Sequence, residues 1–393
     1  MIVKNISRIG STDWHDAWLR ADERTGRFTA VGTGMVPKPE PGEEVIDAAG
    51  GLVLPSYCDS HTHIVYAGSR YGEFRDKIDG LSYEEIAARG GGILNSADRL
   101  HDTSEHELYR QSLERALEVM RKGTGAIEIK SGYGLTLEDE MKMLRVIARI
   151  AEAVPMRVRA TFLGAHAVGR AYAGRQQEYV DHIVRDMLPA VNAEGLADFV
   201  DVFCDRGFFT PEQTAQILEA AAKYGMRPKI HANELDVSGG VEVGVEHDAI
   251  SVDHLERAED EQLRLLASSK TVATMLPGAS FFLGMPYAPA KKALSMGCRV
   301  ALASDYNPGS SPNGDMRFVW ALGCIKMRLT PEQALDCVTK AGAIAMDLPD
   351  YGRIEPGAVA NFTITKPVAD LAVIPYQYNT PYIESLFLAA KKI

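Results

Sequence analysis

The chain reads as an α/β protein, a (β/α)8 TIM-like barrel joined to a small β-sandwich domain assembled from both chain termini. Three observations predict this. Through the middle of the sequence, short apolar strand-like runs alternate with helical periods, the pattern of parallel strands linked by crossover helices. Eight such runs can be counted, the number that closes a barrel, and the stretch between the termini accommodates the roughly 250 residues typical of that fold. Both termini carry only short alternating runs and turn residues, with no long helical period. With 393 residues and 46% hydrophobic content there is enough apolar material for a core of this size. The expected division places 1–53 and 352–393 in the small domain and 54–351 in the barrel.

In chain order, Ile2-Val3 alternates with polar residues, Arg27-Phe28-Thr29-Ala30-Val31 follows a Gly, and Pro37-Lys38-Pro39-Glu40-Pro41-Gly42 punctuates. The strand candidates of the barrel are 52–54, 125–130, 157–163, 199–203, 226–231, 249–252, 271–275 and 299–303. Between them, Ser104-x-x-Glu107 forms a capping box ahead of Leu113, Ala116, Leu117 and Met120, which share a helical face. Thr210-Pro211-Glu212-Gln213 and Thr330-Pro331-Glu332-Gln333 each supply a cap, a Pro at the first helical position and a Gln to close the box. Gly90-Gly91-Gly92 reads as a flexible loop, since no Lys-Ser/Thr follows to make a phosphate cradle. Past 352, Gly357 is the turn between two further alternating runs. No Gly-x-Gly-x-x-Gly opens a helix after the first strand, which removes the commonest support for a doubly wound sheet.

Charge and cysteine usage exclude several classes. A net charge of −11 repels polyanions and argues against a nucleic-acid or anionic-membrane partner. The five cysteines, Cys58, Cys204, Cys298, Cys324 and Cys337, are scattered with no Cys-x-x-Cys spacing, which implies a reducing compartment and no disulfide framework. Cys58 and Cys204, inside strand-like runs, read as small buried hydrophobes. Met1-Ile2-Val3-Lys4-Asn5 lacks the apolar core of a signal peptide, and no run of eighteen apolar residues occurs. The expectation is a soluble, cytoplasmic chain.

The ends of the strands are where chemistry gathers in a barrel. Here they carry His61-Thr62-His63, Lys130-Ser131-Gly132-Tyr133, Gly164-Ala165-His166, His231-Ala232-Asn233-Glu234, Asp253-His254 and Ser304-Asp305-Tyr306-Asn307. Five of the ten histidines therefore converge on one rim. The other five, His15, His101, His106, His182 and His247, fall in helical or terminal segments and read as solvated or structural. On a strand, His61 and His63 point the same way. With His231 they supply three neutral nitrogens, and Asp305 adds a carboxylate, a set that holds one divalent metal and leaves a position open for water. The fourth strand ends without a Lys or Glu to bridge a second ion, so one metal is expected.

In this order, His-x-His, His, His and Asp resemble the amidohydrolase superfamily. Within it, the chain is similar to the imidazolonepropionase family, on His61-Thr62-His63-x-x-x-x-Gly68-Ser69-Arg70, Lys130-Ser131-Gly132-Tyr133-Gly134-Leu135, Phe162-Leu163-Gly164-Ala165-His166, His231-Ala232-x-Glu234-Leu235, Asp253-His254-Leu255, Leu276-Pro277-Gly278-Ala279 and Asp305-x-Asn307-Pro308-Gly309-Ser310-Ser311-Pro312. The resemblance implies hydrolysis of 4-imidazolone-5-propanoate to N-formimidoyl-L-glutamate in histidine degradation, with hydroxide on the metal attacking the cyclic amide carbonyl. It implies His61, His63, His231 and Asp305 as ligands of one zinc or iron ion, and Glu234, His254 and Asp305 as the proton-handling groups. Arg70, Tyr83, Tyr133, His166, Asn307, Gly309 and Ser310 would line the substrate pocket, Arg70 pairing with the propionate through parallel hydrogen bonds. A homodimer is implied by the resemblance alone. The chain departs from the usual pattern at Pro55-Ser56-Tyr57-Cys58-Asp59 and at Asn233, where an Asp is common; neither departure removes a ligand.

Two other readings compete. Another mononuclear amidohydrolase, such as a deaminase of a nucleobase-like ring, would use the same metal set but would have no carboxylate for Arg70 to clamp. A metal-free scaffold protein would lack ligands, and none is lacking.

Overall fold

The computed structural model describes residues 1–12, 14–81, 85 and 91–393. The amino-terminal strands are β1 (Ile2–Ile9), β2 (His15–Asp22), β3 (Arg27–Thr33), β4 (Val45–Asp47) and β5 (Gly51–Pro55). The barrel strands are β6 (Tyr57–Asp59), β7 (Thr124–Lys130), β8 (Arg157–Ala165), β9 (Phe199–Cys204), β10 (Arg227–Ala232), β11 (Ser251–His254), β12 (Val272–Met275) and β13 (Arg299–Leu302). The carboxy-terminal strands are β14 (Phe362–Pro367), β15 (Ile383–Leu388) and β16 (Lys391–Lys392).

Strands β6 to β13 pair in sequence order, each with the next in parallel. The ring closes beyond the strand ends, where Thr62 bridges Tyr306. There His63 N–H donates to the Tyr306 carbonyl (2.9 Å) and Asp305 N–H to that of His61 (3.0 Å). Asp59 completes the seam by accepting from Ser304 N–H at 3.0 Å and Ser304 Oγ at 2.6 Å.

The terminal sheet runs β16-β15-β14-β5-β1-β2-β3, with β4 on β1. It curls back on itself, because β3 meets the segment before β14 through the Arg27–Val359 bridge. Val3, Ile6, Leu19, Phe28, Val53, Phe362, Ile364 and Phe387 fill the space inside. That gives the small two-layered β unit from both termini.

One strand expectation is corrected. The run 52–54 lies in β5, paired with β1 and β14 in the terminal sheet, and the first barrel strand is Tyr57–Asp59. Residues 51–59 are buried throughout, so apolar character alone cannot say where the chain leaves one sheet for the other. The change comes at Ser56, whose N–H bonds the Asn361 carbonyl (3.1 Å) before Tyr57 N–H bonds that of Gly123 (2.9 Å). The glycine loop is also corrected in part. Gly91 is the extended cap and Gly92 the first residue of the helix Gly92–His101, while Gly90 lies outside the described residues.

The helices form where their caps are. Ser104 accepts from Glu107 N–H, and the following helix, Glu105–Arg121, buries Leu108, Ala116, Val119 and Met120. Thr210 and Thr330 both make the reciprocal box with the Gln three residues on.

Candidate active site

The barrel interior beneath the site is charged. Alternation along β7 and β10 turns Glu128 with Lys130, and Lys229 with His231, to the same side. Glu128, Lys130, Asp201, Lys229 and Asp253 are all fully buried. Lys130 Nζ lies 2.8 Å from Glu128 Oε1, 2.8 Å from Asp201 Oδ2 and 3.8 Å from Asp253 Oδ2. Lys229 Nζ donates to the Ser60 carbonyl at 2.9 Å and sits 3.8 Å from Asp253 Oδ2. Burial of charge is costly unless paired, and here two ammonium groups face three carboxylates.

Two of those carboxylates orient histidines above them. Asp253 Oδ2 is 2.6 Å from His61 Nδ1, and Asp201 Oδ2 is 2.9 Å from His231 Nδ1. The His61 Nδ1–H is thus committed to Asp253, which leaves its Nε2 as a bare lone pair, while the Asp201 carboxylate stands in ion-pair contact with the His231 ring. The His63 Nε2 atom stands 3.3 Å from that of His61 and 3.4 Å from that of His231. Asp305 Oδ1 lies 3.6 Å from both His61 Nε2 and His63 Nε2. Burial and the neighbouring positive groups hold His61 and His63 well below the usual imidazole range, so both rings are neutral. Acceptors converging on acceptors in a buried space repel unless a cation lies among them. Among the described residues, His61, His63 and His231 form the group whose atoms lie close enough to hold a metal, all within 4.8 Å. The donor set, imidazoles plus one carboxylate, fits a single divalent ion.

The strand ends that present these groups are bent. Asn233 (φ 55°), His254 (φ 84°) and Asp305 (φ 52°) occupy the left-handed region, where non-glycine residues pay a conformational cost and Asn pays least. Asn233 therefore suits its position on backbone grounds.

Beside the histidine cluster, His254 Nε2 is 3.6 Å from Glu234 Oε2 and its Nδ1 is 3.6 Å from Glu256 Oε2. Burial raises Glu234 to about 7 against the pull of His254. Burial alone would lower His254, but the Glu234 and Glu256 carboxylates raise it to about 10. Asp205 fixes the loop by accepting from the N–H groups of Glu234 (2.8 Å), Leu235 (3.0 Å) and Asp236 (3.1 Å). Glu234 thereby faces the cleft, not bulk solvent.

That cleft, of about 540 Å³, is lined by Arg70, Tyr133, His166, Asn307, Gly309 and Ser310 as well as by His63, His231, Glu234, His254 and Asp305. His166 stacks on His63 at 5.2 Å between centroids, and its Nδ1 contacts the Gly132 carbonyl at 2.9 Å. Burial, with His231 nearby, lowers His166 to about 3, so the ring is neutral. Asn307 is largely committed to its own loop. Its Oδ1 accepts from Gly309 N–H and Ser310 N–H, both at 2.8 Å, and its Nδ2 donates to the Asp305 carbonyl at 2.6 Å. Arg70 donates through Nε (2.9 Å) and Nη2 (2.6 Å) to Glu73 Oε2. Tyr83 lies outside the described residues.

Sequence reasoning passed over Asp201, Glu73, Lys77 and Glu256, and quoted Lys130 and Asp253 without giving them a role. Glu256 had a usable signal, two residues past His254. Asp201 is one of two aspartates in a strand run and had none, since only its opposition to His231 gives it meaning.

Residues 91–378 match the model of the amidohydrolase family. The chain is 51% identical over 352 residues to an imidazolonepropionase of Christiangramia forsetii, covering 89% of this chain and 86% of that protein. It is 44% identical over 339 residues to one of Pseudomonas putida, covering 85% and 84%. Among solved structures, 5-methylcytosine deaminase from Klebsiella pneumoniae superposes with a TM-score of 0.79 at 16% identity, over 100% of this chain and 97% of that one. An atrazine chlorohydrolase from Arthrobacter aurescens complexed with zinc gives 0.74 at 15% identity, over 100% and 94%. At such identities these structures speak for the fold alone.

Proposed function

The chain belongs to the imidazolonepropionase family of amidohydrolases, and from that premise we propose that it hydrolyses 4-imidazolone-5-propanoate to N-formimidoyl-L-glutamate in histidine degradation. Water adds across the ring amide: the carbonyl carbon becomes a carboxylate and the ring nitrogen leaves as the formimidoyl nitrogen. The observation that carries the reading is the convergence of three imidazole nitrogens and Asp305, with His61 held in one tautomer by Asp253 and His231 in contact with Asp201.

His61, His63, His231 and Asp305 would hold one ion, zinc or iron. When bound, such an ion lowers the pKa of water and polarises a carbonyl oxygen. Glu234 takes the proton from the attacking water and returns it to the leaving nitrogen, a role commonly worth about 10²- to 10⁴-fold in rate. A pKa near 7 suits both halves of that transfer. His254, held charged between Glu234 and Glu256, donates toward the oxygen on which negative charge develops. Tyr133 and His166 pack beside His63 and bracket the ring. Arg70, its guanidinium oriented by Glu73, meets the propionate, with Tyr83, Asn307, Gly309 and Ser310 completing the pocket.

We place the enzyme in the cytoplasm, on its free cysteines and because no described helix is long and apolar enough to cross a membrane. A homodimer is the working assembly. The test of function follows loss of imidazolone ultraviolet absorbance, with substrate generated in situ from urocanate, before and after chelation, for wild type and Arg70→Ala. Turnover abolished by chelation, and a Michaelis constant raised about tenfold or more in Arg70→Ala, are expected. Faster turnover of a tail-less ring such as cytosine would overturn the assignment in favour of a deaminase.

A further inference from the structure

One cation in the cleft is not used by this mechanism. Lys77 sits on the helix Tyr71–Ile78, two turns past Arg70, and lines the same cleft. Its Nζ donates to the Gly309 carbonyl at 2.5 Å and lies 5.0 Å from the centroid of the Phe282 ring. Among the described residues Lys77 makes no ion pair. Arg70 approaches the same glycine so closely that a Cβ on Gly309 would stand 2.2 Å from Arg70 Nη1. The two cations thus meet over one backbone unit, four residues past Asp305.

We propose that Lys77 is a second cationic contact for the substrate's acid tail, closing on the propionate together with Arg70. The inference rests on the substrate reading above. An ammonium has three donors, and the Gly309 carbonyl takes one. The others sit at the rim of a cleft whose nearby wall, Phe281, Phe282 and Leu283, is apolar. A tail carboxylate placed between Lys77 and Arg70 supplies an acceptor to both and screens one charge from the other. Burial, and then the charge of Arg70, press Lys77 down to about 8 against the pull of Glu73, and a further anion favours the charged form. Gly309 has no side chain to intervene.

The experiment separates charge from scaffolding. Lys77→Gln keeps a donor for the Gly309 carbonyl and removes the charge; Lys77→Met removes both; Lys77→Arg restores charge. Steady-state kinetics on imidazolone propionate are paired with competitive inhibition by imidazole-4-propionate and by its neutral tail amide. In Lys77→Gln and Lys77→Met the Michaelis constant should rise about tenfold with kcat changed by less than about threefold, and the preference for acid over amide should fall by about the same factor. Lys77→Arg should recover most of that preference. If Lys77→Gln keeps the wild-type acid preference, or if acid and amide weaken alike, Lys77 only anchors the loop and the proposal fails. Failure of the wild type to turn over imidazolone propionate at all would instead defeat the substrate reading.

Discussion

Replacing Asp253 by Asn should weaken the metal site without unfolding the barrel. The side chain keeps its shape, so Asn Oδ1 can still face His61 Nδ1, now 2.6 Å from a full carboxylate. What is lost is the negative charge, which makes the imidazole a better donor to a cation and which lies 3.8 Å from both Lys130 and Lys229. Removing a carboxylate behind a ligating histidine typically costs ten- to a hundredfold in metal affinity, equivalent to about 1.4–2.8 kcal/mol. Lys130 retains Glu128 and Asp201, and Lys229 retains two backbone carbonyls, so the lysines keep partners and the fold should persist with a lowered melting temperature. The assay is competition for zinc between protein and a chromogenic chelator at fixed pH, with circular dichroism on the same samples. Asp236→Asn, whose carboxylate meets Arg206 at the surface and the Val237 N–H, serves as the control and should leave affinity unchanged. A folded Asp253→Asn whose zinc affinity lies within about twofold of wild type would refute the claim that Asp253 tunes His61, because nothing else on that ring differs between the two proteins.

Two further outcomes are expected. Glu234→Gln should retain metal, measured by elemental analysis, while turnover falls by about 10²-fold or more; loss of metal would make Glu234 a ligand. Gly342→Ala should destabilise the barrel by about 1–3 kcal/mol in a denaturant titration, because the new methyl would stand 2.1 Å from the Cys58 carbonyl of β6. An unchanged midpoint would mean that the helix Gly342–Ala345 can shift away from β6 at no cost.

Much of the architecture was legible because its causes are local. Alternation of apolar residues, a Thr-Pro-Glu-Gln cap and a polar strand end each depend on a few neighbouring positions, and the strands and helices around them form where those signals lie. The candidate site was legible for the same reason: in a parallel barrel every strand end reaches one rim, so His61, His63, His231 and Asp305 meet once the fold is given. Which sheet 51–55 joins was not legible, since a buried apolar run suits either. Nor were the partners behind and above the site. Asp253 reaches His61 across 192 positions, and Lys77 reaches Gly309 across 232. Such pairs have no pattern in the sequence because neither residue is fixed by its own neighbours. Closure of the barrel and the position of the helix Tyr71–Ile78 bring them within bonding distance, and only then does the low polarity of the interior make each group depend on its partner.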